Sequence, residues 1–365
     1  MSGMSYQLKA FTSNYSSWFF GFCLLCVLDV VLYIPAVQAC DGGCFPTTTA
    51  SSGPNDNQPD PECDDNCDDC PSGGQPVSAY SGKELHRVVD LVVNGVYPIR
   101  LERKYDSQSR YDSPVGYGWS FLTDKRLYKY SDGSVIVRND CGVRNKYLFA
   151  GGAFQAPIGR RETLVENDDG SFTLTKPRGY REQYDRAGRL TALQDPRGNQ
   201  LEFSYDPAGR LPLTGSSPFS LDPATTSIVA YDYRLTQIQE RLADGALSGN
   251  SVTLNYDAGT GRLIQIVDHA GRTVTYQHDT TISAKNGNLL VVNGLEGMTY
   301  TYVYSDLNDS GELQDAHNVT SMQKGENATP YVNTYDDQDR VTRQTHGNDI
   351  FDFDYTVPGL ETNIT

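Results

Sequence analysis

Histidines and serines are the first side chains to consider for catalysis or metal binding in this 365-residue chain. The five histidines form neither an HExxH motif nor a helical pair four residues apart, and the two that fall in predicted turns, His269 and His346, are expected to be solvated. No Gly-x-Ser-x-Gly motif presents a nucleophilic serine. The sequence therefore predicts no catalytic residue, no metal site and no cofactor. The remaining histidines are His86, His278 and His317.

Carboxylates offer a second route to chemistry, because a pair of them can hydrolyse a glycosidic bond. The most regular ones each follow a tyrosine, and most are followed by a Gly-Arg pair. A residue that recurs at the same place in every unit is better explained by turn formation than by catalysis. The arginines are expected to pair with these aspartates, and exposed pairs contribute little each. The aspartates are Asp185, Asp206, Asp257 and Asp336, and the arginines are Arg189, Arg210 and Arg262.

Cysteines allow two interpretations. Three of them are spaced C-x3-C-x2-C among carboxylates, from Cys63 to Cys70, which is compatible with a metal site but lacks a second C-x2-C pair. Six cysteines follow residue 39, and an even number in an exported protein favours disulfides, with the pairing left open. The six candidates are Cys40, Cys44, Cys63, Cys67, Cys70 and Cys141.

The elements that must position these residues are set by a repeat of about twenty residues. Each copy begins with Tyr-Asp, has Gly-Arg-Leu or an equivalent after two or three more residues, and closes with a tyrosine. This spacing predicts two short strands alternating with two turns, and stacking of such hairpins supplies the core that one hairpin lacks. The repeat residues are Tyr184, Asp185, Gly188, Arg189, Tyr205, Asp206, Gly209, Arg210, Tyr256, Asp257, Gly261, Arg262, Tyr276, Tyr335, Asp336 and Tyr355.

The turn chemistry of the repeat follows from its residue types. The aspartate after the tyrosine can accept hydrogen bonds from its own backbone, and the glycine provides a positive φ. Asp339 stands where other copies have glycine, and aspartate is among the few other residues that tolerate this conformation. We expect the tyrosine rings to stack into a ladder along neighbouring hairpins.

The segment before the repeats is also predicted to be β structure. Apolar residues alternate in VDLVV, YPIRLERKY and SVIVRN, and NG and DG turns separate these runs. In GYGWS, Gly116 and Gly118 are expected to permit turns, and Trp119 is expected to cap a sheet.

These motifs together carry a resemblance. The order of GQPV, SGKE, V-x-D-L, R-x-Y-x-S-x-S-R (Arg103 to Arg110), GYGWS and a DGS hairpin is similar to the β domain that precedes the repeats in bacterial RHS (rearrangement hot spot) proteins, and the Tyr-Asp units resemble the YD repeat of that family. The resemblance covers about residues 74–365. It implies an all-β fold, an antiparallel β-hairpin repeat ribbon forming a partial β-shell, preceded by a small β domain.

Composition divides the chain further. Lys+Arg number 30 against Asp+Glu 46, a formal charge of −16, which argues against nucleic-acid binding. The apolar run from Trp18 to Val37 predicts a cleaved signal peptide, with a retained anchor or a lipidated Cys40 as alternatives. We therefore predict a signal peptide (1–39), an acidic, cysteine-containing disordered linker (40–80), a pre-repeat β domain (81–150) and a repeat region (151–365).

Three function hypotheses follow. The resemblance implies an exported, non-enzymatic scaffold, the N-terminal part of an RHS shell in toxin-delivery or cell-contact systems, whose partner is the rest of the shell or a C-terminal toxin encoded downstream. The second is a cell-surface module that binds carbohydrate. The third is a hydrolase, which requires two carboxylates of divergent pKa in one pocket. An open ribbon edge also predicts self-association.

Overall fold

The computed structural model describes residues 72–73, 77–78, 81–109, 111–140, 142–211, 232–281, 286–305, 316–355 and 363–364, with the backbone alone at 72–73, 123, 207–211, 232–233 and 363–364. The predicted signal peptide, most of the predicted linker and all six candidate disulfide cysteines lie outside these residues. None of the residues in these ranges forms a helix long and apolar enough to cross a membrane.

The first eleven strands precede the repeats. A long hairpin of β3 and β4 is joined by β7, and β8 to β11 form a four-stranded antiparallel sheet. Their bounds are β1 Ser72–Gly73, β2 Val77–Ser78, β3 Leu85–Val93, β4 Ile99–Asp106, β5 Asp112–Ser113, β6 Gly116–Tyr117, β7 Trp119–Ser120, β8 Arg126–Lys129, β9 Val135–Arg138, β10 Arg144–Ala150 and β11 Ala153–Gln155.

The remaining strands form one antiparallel sheet in which each pairs with the next along the chain. They are β12 Thr163–Glu166, β13 Phe172–Thr175, β14 Arg181–Tyr184, β15 Leu190–Gln194, β16 Gln200–Leu211, β17 Asp232–Arg241, β18 Leu247–Tyr256, β19 Leu263–Asp268, β20 Thr273–His278, β21 Leu289–Asn293, β22 Thr299–Tyr304, β23 Val319–Lys324, β24 Tyr331–Tyr335, β25 Val341–His346, β26 Asp349–Asp354 and β27 Asn363–Ile364. Three short 3-10 turns lie at Leu122–Asp124, Pro177–Gly179 and Leu295–Gly297.

The sequence-based prediction of an all-β fold built on an antiparallel repeat sheet is confirmed. The repeat strands whose side chains are described bury only one to three side chains each, because alternate residues point to opposite faces. The buried residues of the repeat sheet share one hydrophobic core with those of β3 and β4, including Leu91 and Leu101. The pre-repeat strands therefore fill the inner face of the repeat sheet.

Val77 lies within the stretch predicted to be a disordered linker, yet it forms part of β2 and is fully buried. Its side chain packs with Val341 and Phe353 of the last repeat in a second, smaller apolar cluster. Val77 and Ser78 therefore depart from the prediction of a disordered linker, because Val77 is buried against the last repeat.

Candidate functional site: a hairpin that crosses the repeat sheet

The repeat turns have the predicted hydrogen bonds. Asp185 Oδ1 accepts from the backbone N–H of Ala187 and of Arg189, each at 2.9 Å, and Asp336 does the same for Gln338 and Arg340. The third residue after each aspartate has a positive φ, which is +75° at Gly188 and +58° at Asp339. The next apolar residue is buried as it starts a new strand. These aspartates are thus acceptors for the turns that they begin.

The arginine side chains agree with the expectation in part. Arg189 Nε lies 2.6 Å from Asp185 Oδ2, and Arg340 pairs with Asp336 in the same way. Arg262 differs, because it contacts Asp112 of the pre-repeat domain and not Asp257. Asp257 binds the N–H and hydroxyl of Thr260 within its own turn, which is one residue longer and carries the arginine out of reach.

The unit that begins at Tyr205 departs from the pattern. Asp206, Gly209 and Arg210 do not close a hairpin, because they lie within β16, which continues to Leu211 with a register shift between Tyr205 and Arg210. The side chain of Arg210 is outside the described part of the chain.

The predicted stacking of repeat tyrosines is replaced by a different arrangement. Four of the hydroxyls donate to a carbonyl oxygen near the start of the preceding strand, as Tyr205 does to Leu190 at 2.8 Å and Tyr355 does to Val341 at 2.6 Å, whereas Tyr184 donates to Glu182 and Tyr276 to a residue outside the repeats. An arginine lies over the ring, with Arg189 at 5.4 Å from the Tyr205 centroid. Tyr256 donates in the same way to Leu235, and the single hydroxyl proton of Tyr335 is shared between the Val319 carbonyl and Glu84. These four tyrosines are hence held by hydrogen bonds from their hydroxyl groups to the neighbouring strand, and not by stacking of their rings.

Trp119 is completely buried between the pre-repeat strands and the repeat sheet. Its Nε1 donates to Tyr304 Oη at 2.9 Å, and its ring contacts those of Tyr105 and Tyr302 at 5.2 and 5.0 Å. Gly116 and Gly118, which flank Tyr117 just before Trp119, have positive φ values of 143° and 75°. The aromatic side chain thus lies inside a core shared by two sheets, whereas we expected it to cap one sheet.

A long series of contacts between the two regions is made by residues 82–107, which we call the crossing hairpin. At its tip, Tyr97 N–H donates to Glu240 of β17 at 2.7 Å, and Asn250 of β18 donates to the Asn94 carbonyl at 3.0 Å. Arg272, in the turn after β19, donates to the Val92 carbonyl at 2.9 Å.

The contacts continue in order toward the base of the crossing hairpin. Tyr276 of β20 donates to Asp90 at 2.9 Å, and Arg103 donates to Tyr302 of β22. Tyr335 of β24 donates to Glu84, and the N–H of Val341, the first residue of β25, donates to the Gly82 carbonyl at 2.8 Å. Successive positions along the hairpin therefore meet successive repeat strands, so the hairpin runs across them.

Two charged side chains at the middle of the crossing hairpin are fully buried. Arg103 Nε donates to both oxygens of Asp90 at 2.8 and 3.0 Å, and its guanidinium lies 4.8 Å from the Tyr300 ring centroid. Burial raises the pKa of Asp90, whereas the charge of Arg103 acts in the opposite direction. Because an arginine does not lose its proton in proteins, we treat the two as an ion pair held in the core.

Glu84, at the base, is a buried carboxyl without a cationic partner in its hydrogen bonds. Burial raises its pKa to about 8, although hydrogen bonds from Tyr335 and Asn333 act in the opposite direction. The carboxyl is thus largely protonated at neutral pH. Its backbone N–H donates to Ser107 Oγ at 3.1 Å, which fixes the two strands of the hairpin to each other at this end.

The four-stranded sheet β8–β11 contacts the first repeat strands. Leu127 N–H donates to the Gly188 carbonyl at 2.9 Å, and a Cβ at Gly188 would lie 1.8 Å from the Leu127 oxygen. Lys125 binds Glu182 at 3.0 Å. Burial opposes ionisation of Glu182, but Lys125 and Lys176 outweigh it and lower the pKa to about 2. The pre-repeat domain therefore has a second, ionic attachment to the repeat sheet.

The histidines are dispersed in the structure. Burial lowers the pKa of His86 to about 3 and the pKa of His278 and His317 to about 4, so these rings are neutral at physiological pH. His346 stacks on Tyr331 at 4.1 Å, and His269 is exposed in a turn. Within the described ranges, no group of three or more His, Cys, Asp or Glu side chains could hold a metal ion.

Sequence reasoning missed Glu84, Asp90, Arg103 and Glu240, the charged residues by which the crossing hairpin is attached. One signal was present for Arg103, since it alternates with Ile99, Leu101 and Tyr105 on the inward face of β4. A charge at a position that alternation assigns to the core predicts a buried partner. The partner itself could not be predicted from the sequence, because Tyr302 lies 199 residues after Arg103.

Comparisons with known proteins agree with this architecture at the level of family. Residues 74–147 match a model described as a domain of unknown function (DUF6531), and residues 184–217 match the model of the RHS repeat. A comparison with curated protein sequences gave no match.

Several solved structures are similar to a low degree. They include a porin-like protein from Bacteroides uniformis (14% identity, covering 72% of this chain and 94% of that chain, TM-score 0.28). The N-terminal domain of effector protein SpvB from Salmonella typhimurium shows 12% identity over 60% of this chain and 95% of that chain, with a TM-score of 0.30. TcdB2-TccC3 shows 13% identity over 70% of this chain and 16% of that chain, with a TM-score of 0.29. TM-scores this low do not establish a common fold.

The two family models match the two regions that the structure joins. The first covers the crossing hairpin and most of the β8–β11 sheet, and the second begins at Tyr184, the first residue of the clearest repeat. The chain therefore carries a DUF6531 domain followed by RHS repeat sequence, which supports its recognition as an RHS/YD-repeat protein.

Proposed function

We propose that this chain is a non-enzymatic structural scaffold, the N-terminal part of an RHS shell that serves toxin delivery or cell contact after export. The observation that carries the proposal is the burial of the ionisable groups with the most perturbed environments. Glu84, Asp90 and Arg103 each contact repeat residues and are closed off from solvent. A side chain that holds two parts of a fold together in this way is not placed to meet a substrate.

The repeated aspartates support the same proposal. Asp185, Asp268 and Asp336 each accept two backbone N–H groups and pair with an arginine four residues on. Acceptors filled by their own turn are poor nucleophiles and poor bases, because their lone pairs are occupied. The regularity of the contact is that of a structural repeat.

The proposed partner is the remainder of such a shell or a C-terminal toxin encoded downstream. Among the described residues, β12 pairs with β13 at the start of the large sheet, and Val165 on β12 is exposed. An unpaired strand edge with an apolar residue is a site at which a further strand adds.

Light scattering on the purified full chain, with circular dichroism on the same sample, tests the scaffold. We expect β-rich material that self-associates, because the edge strand finds a partner in another copy. A monodisperse monomer with the full β content would contradict the need for a partner.

Incubation of the same sample with a panel of bacterial wall polysaccharides tests the non-enzymatic assignment. We expect no release of reducing ends. Release that scales with the concentration of this protein and disappears on substitution of an exposed carboxylate would contradict it. Sequencing of the DNA beyond the codon of Thr365 tests whether the proposed partner is encoded there. We expect further Tyr-Asp repeats.

A further inference from the structure

The crossing hairpin and the repeat sheet have matching spacings. Asp90 and Glu84 are six residues apart on the hairpin, and their tyrosine partners lie in β20 and β24, four strands apart. An extended chain advances about 3.3 Å per residue and adjacent strands lie about 4.8 Å apart, so both separations are about 20 Å. The same chemistry, a carboxyl group accepting from a repeat tyrosine, therefore recurs at a distance that both elements share.

The spacing of equivalent repeat strands and the spacing of side chains on one face of the crossing hairpin do not match at shorter distances. Strands alternate in direction, so equivalent environments recur every second strand, about 9.6 Å, whereas hairpin side chains return to one face every second residue, about 6.6 Å. The smallest displacement of the hairpin along the repeat sheet that nearly restores both spacings is six hairpin residues, which corresponds to four strands. That displacement would move Asp90 to Tyr335 and would separate Tyr97 from Glu240 and Arg103 from Tyr302.

Each contact along the crossing hairpin also differs chemically from the next. A carboxylate captures a backbone N–H at Glu240, a carboxylate accepts from a tyrosine at Asp90, and a guanidinium donates to a tyrosine at Arg103. A misplaced strand would leave one of these groups buried without a partner, which is costly. Only one alignment of hairpin and repeats satisfies all of them.

We propose that the crossing hairpin is an intramolecular template that sets the order and register in which the repeat strands are added during folding. It precedes the repeats in the chain, and its tip meets β17 while its base meets β25, so the strands reach it in the order of synthesis. A repeat hairpin alone is marginally stable, and the template supplies the apolar surface that it lacks. Leu91, Leu101 and Tyr105 are the parts of that surface in the shared core.

The template role is separable from simple stabilisation by kinetics. A contact formed in the folding transition state slows refolding when removed, whereas a contact formed later speeds unfolding. Tyr276→Phe and Tyr302→Phe each remove one hydroxyl bound to the hairpin. Tyr256→Phe is the matched control, because its hydroxyl binds Leu235 within the repeat sheet.

Refolding and unfolding rates of the full chain are measured for the three variants by stopped-flow fluorescence. We expect the two hairpin-contact variants to refold roughly three- to tenfold more slowly, with unfolding changed less than about twofold. The control should change mainly in unfolding. The proposal is overturned if the hairpin-contact variants unfold faster and refold at the rate of the unsubstituted chain.

A second measurement needs no refolding from denaturant. The full chain is translated in vitro, and the time at which the released product becomes resistant to protease is recorded for the same variants. We expect a delay for Tyr276→Phe and Tyr302→Phe relative to Tyr256→Phe and the unsubstituted chain. Equal times for all four would overturn the template role.

Discussion

The crossing hairpin and the repeat sheet differ in how they provide hydrogen-bond partners for their polar groups. The repeats use one arrangement again and again, in which an aspartate binds its own turn and a tyrosine hydroxyl binds a neighbouring carbonyl. The crossing hairpin uses a different pair at each step, as at Arg103 and Glu84. Local, repeated contacts tolerate variation, whereas single long-range contacts define one structure.

This difference also decides what each region contributes to stability. A repeat turn exposes its ion pair, and exposed pairs contribute little. A buried pair in the hairpin is strongly destabilising to break, because the remaining charge has no partner. We therefore expect substitutions in the crossing hairpin to lower the free energy of unfolding more than equivalent substitutions in the repeats.

Arg103→Met should have the largest effect. It leaves the Asp90 carboxylate buried without its cation, which costs about 3–5 kcal/mol of unfolding free energy. Chemical denaturation followed by fluorescence measures this. Arg343→Met is the control, since its pair with Asp352 is solvent-exposed and should matter little. Equal losses for the two variants would remove the distinction between the regions.

Gly188→Ala should have the next largest effect, because this repeat glycine also contacts the pre-repeat domain. A Cβ would lie 1.8 Å from the Leu127 oxygen, in a residue whose φ is +75°. Gly271→Ala has a similar φ of +82° but nothing within 4 Å of the added atom. We expect about 1–2 kcal/mol for Gly271→Ala and clearly more for Gly188→Ala by thermal denaturation. Similar values would mean that the Leu127 contact yields without cost.

Glu84→Gln should change how stability depends on pH. The pKa of Glu84 is raised from 4.5 to about 8, so the folded state holds a proton that the unfolded chain releases. Its contribution is present below pH 4.5 and is lost as pH rises toward 8, at up to about 1.4 kcal/mol per pH unit. Denaturation at pH 5.5 and 7.5 should show a smaller fall for Glu84→Gln than for the unsubstituted chain. An identical fall in both would show that Glu84 does not titrate in this range.

Tyr256→Phe should have the smallest effect, because the hydroxyl makes one hydrogen bond to a backbone carbonyl within the repeats. We expect a loss of about 1 kcal/mol in chemical denaturation. A loss as large as that of Arg103→Met would mean that the repeat tyrosines are as specific as the hairpin contacts.

The two regions also differ in what the sequence could predict. Turn chemistry is local, so the positive φ at Gly188 and at Asp339 could be read from residues a few positions away. Burial of Leu190 and Val341 followed from the same pattern. Tyrosine contacts were predicted less well, since ring spacing along one chain does not reveal which arginine lies over each ring.

The crossing hairpin could be predicted as strands but not as a cross-sheet element. Its partners lie 143 residues away at Glu240 and 251 residues away at Tyr335. Alternation in β4 identified an inward Arg103, but pairing over such separations depends on the assembled sheet. The candidate site therefore emerged from the structure.

Hydrogen exchange along the full chain, read by mass spectrometry, tests most directly whether the crossing hairpin and the strands it crosses are one cooperative unit. In the unsubstituted chain, β3, β4 and β20 to β24 should exchange slowly and at a common rate. In Arg103→Met, exchange should accelerate in all of these segments together, while β13 and β14 change less. Acceleration confined to β3 and β4, with β20 to β24 unchanged, would contradict the account.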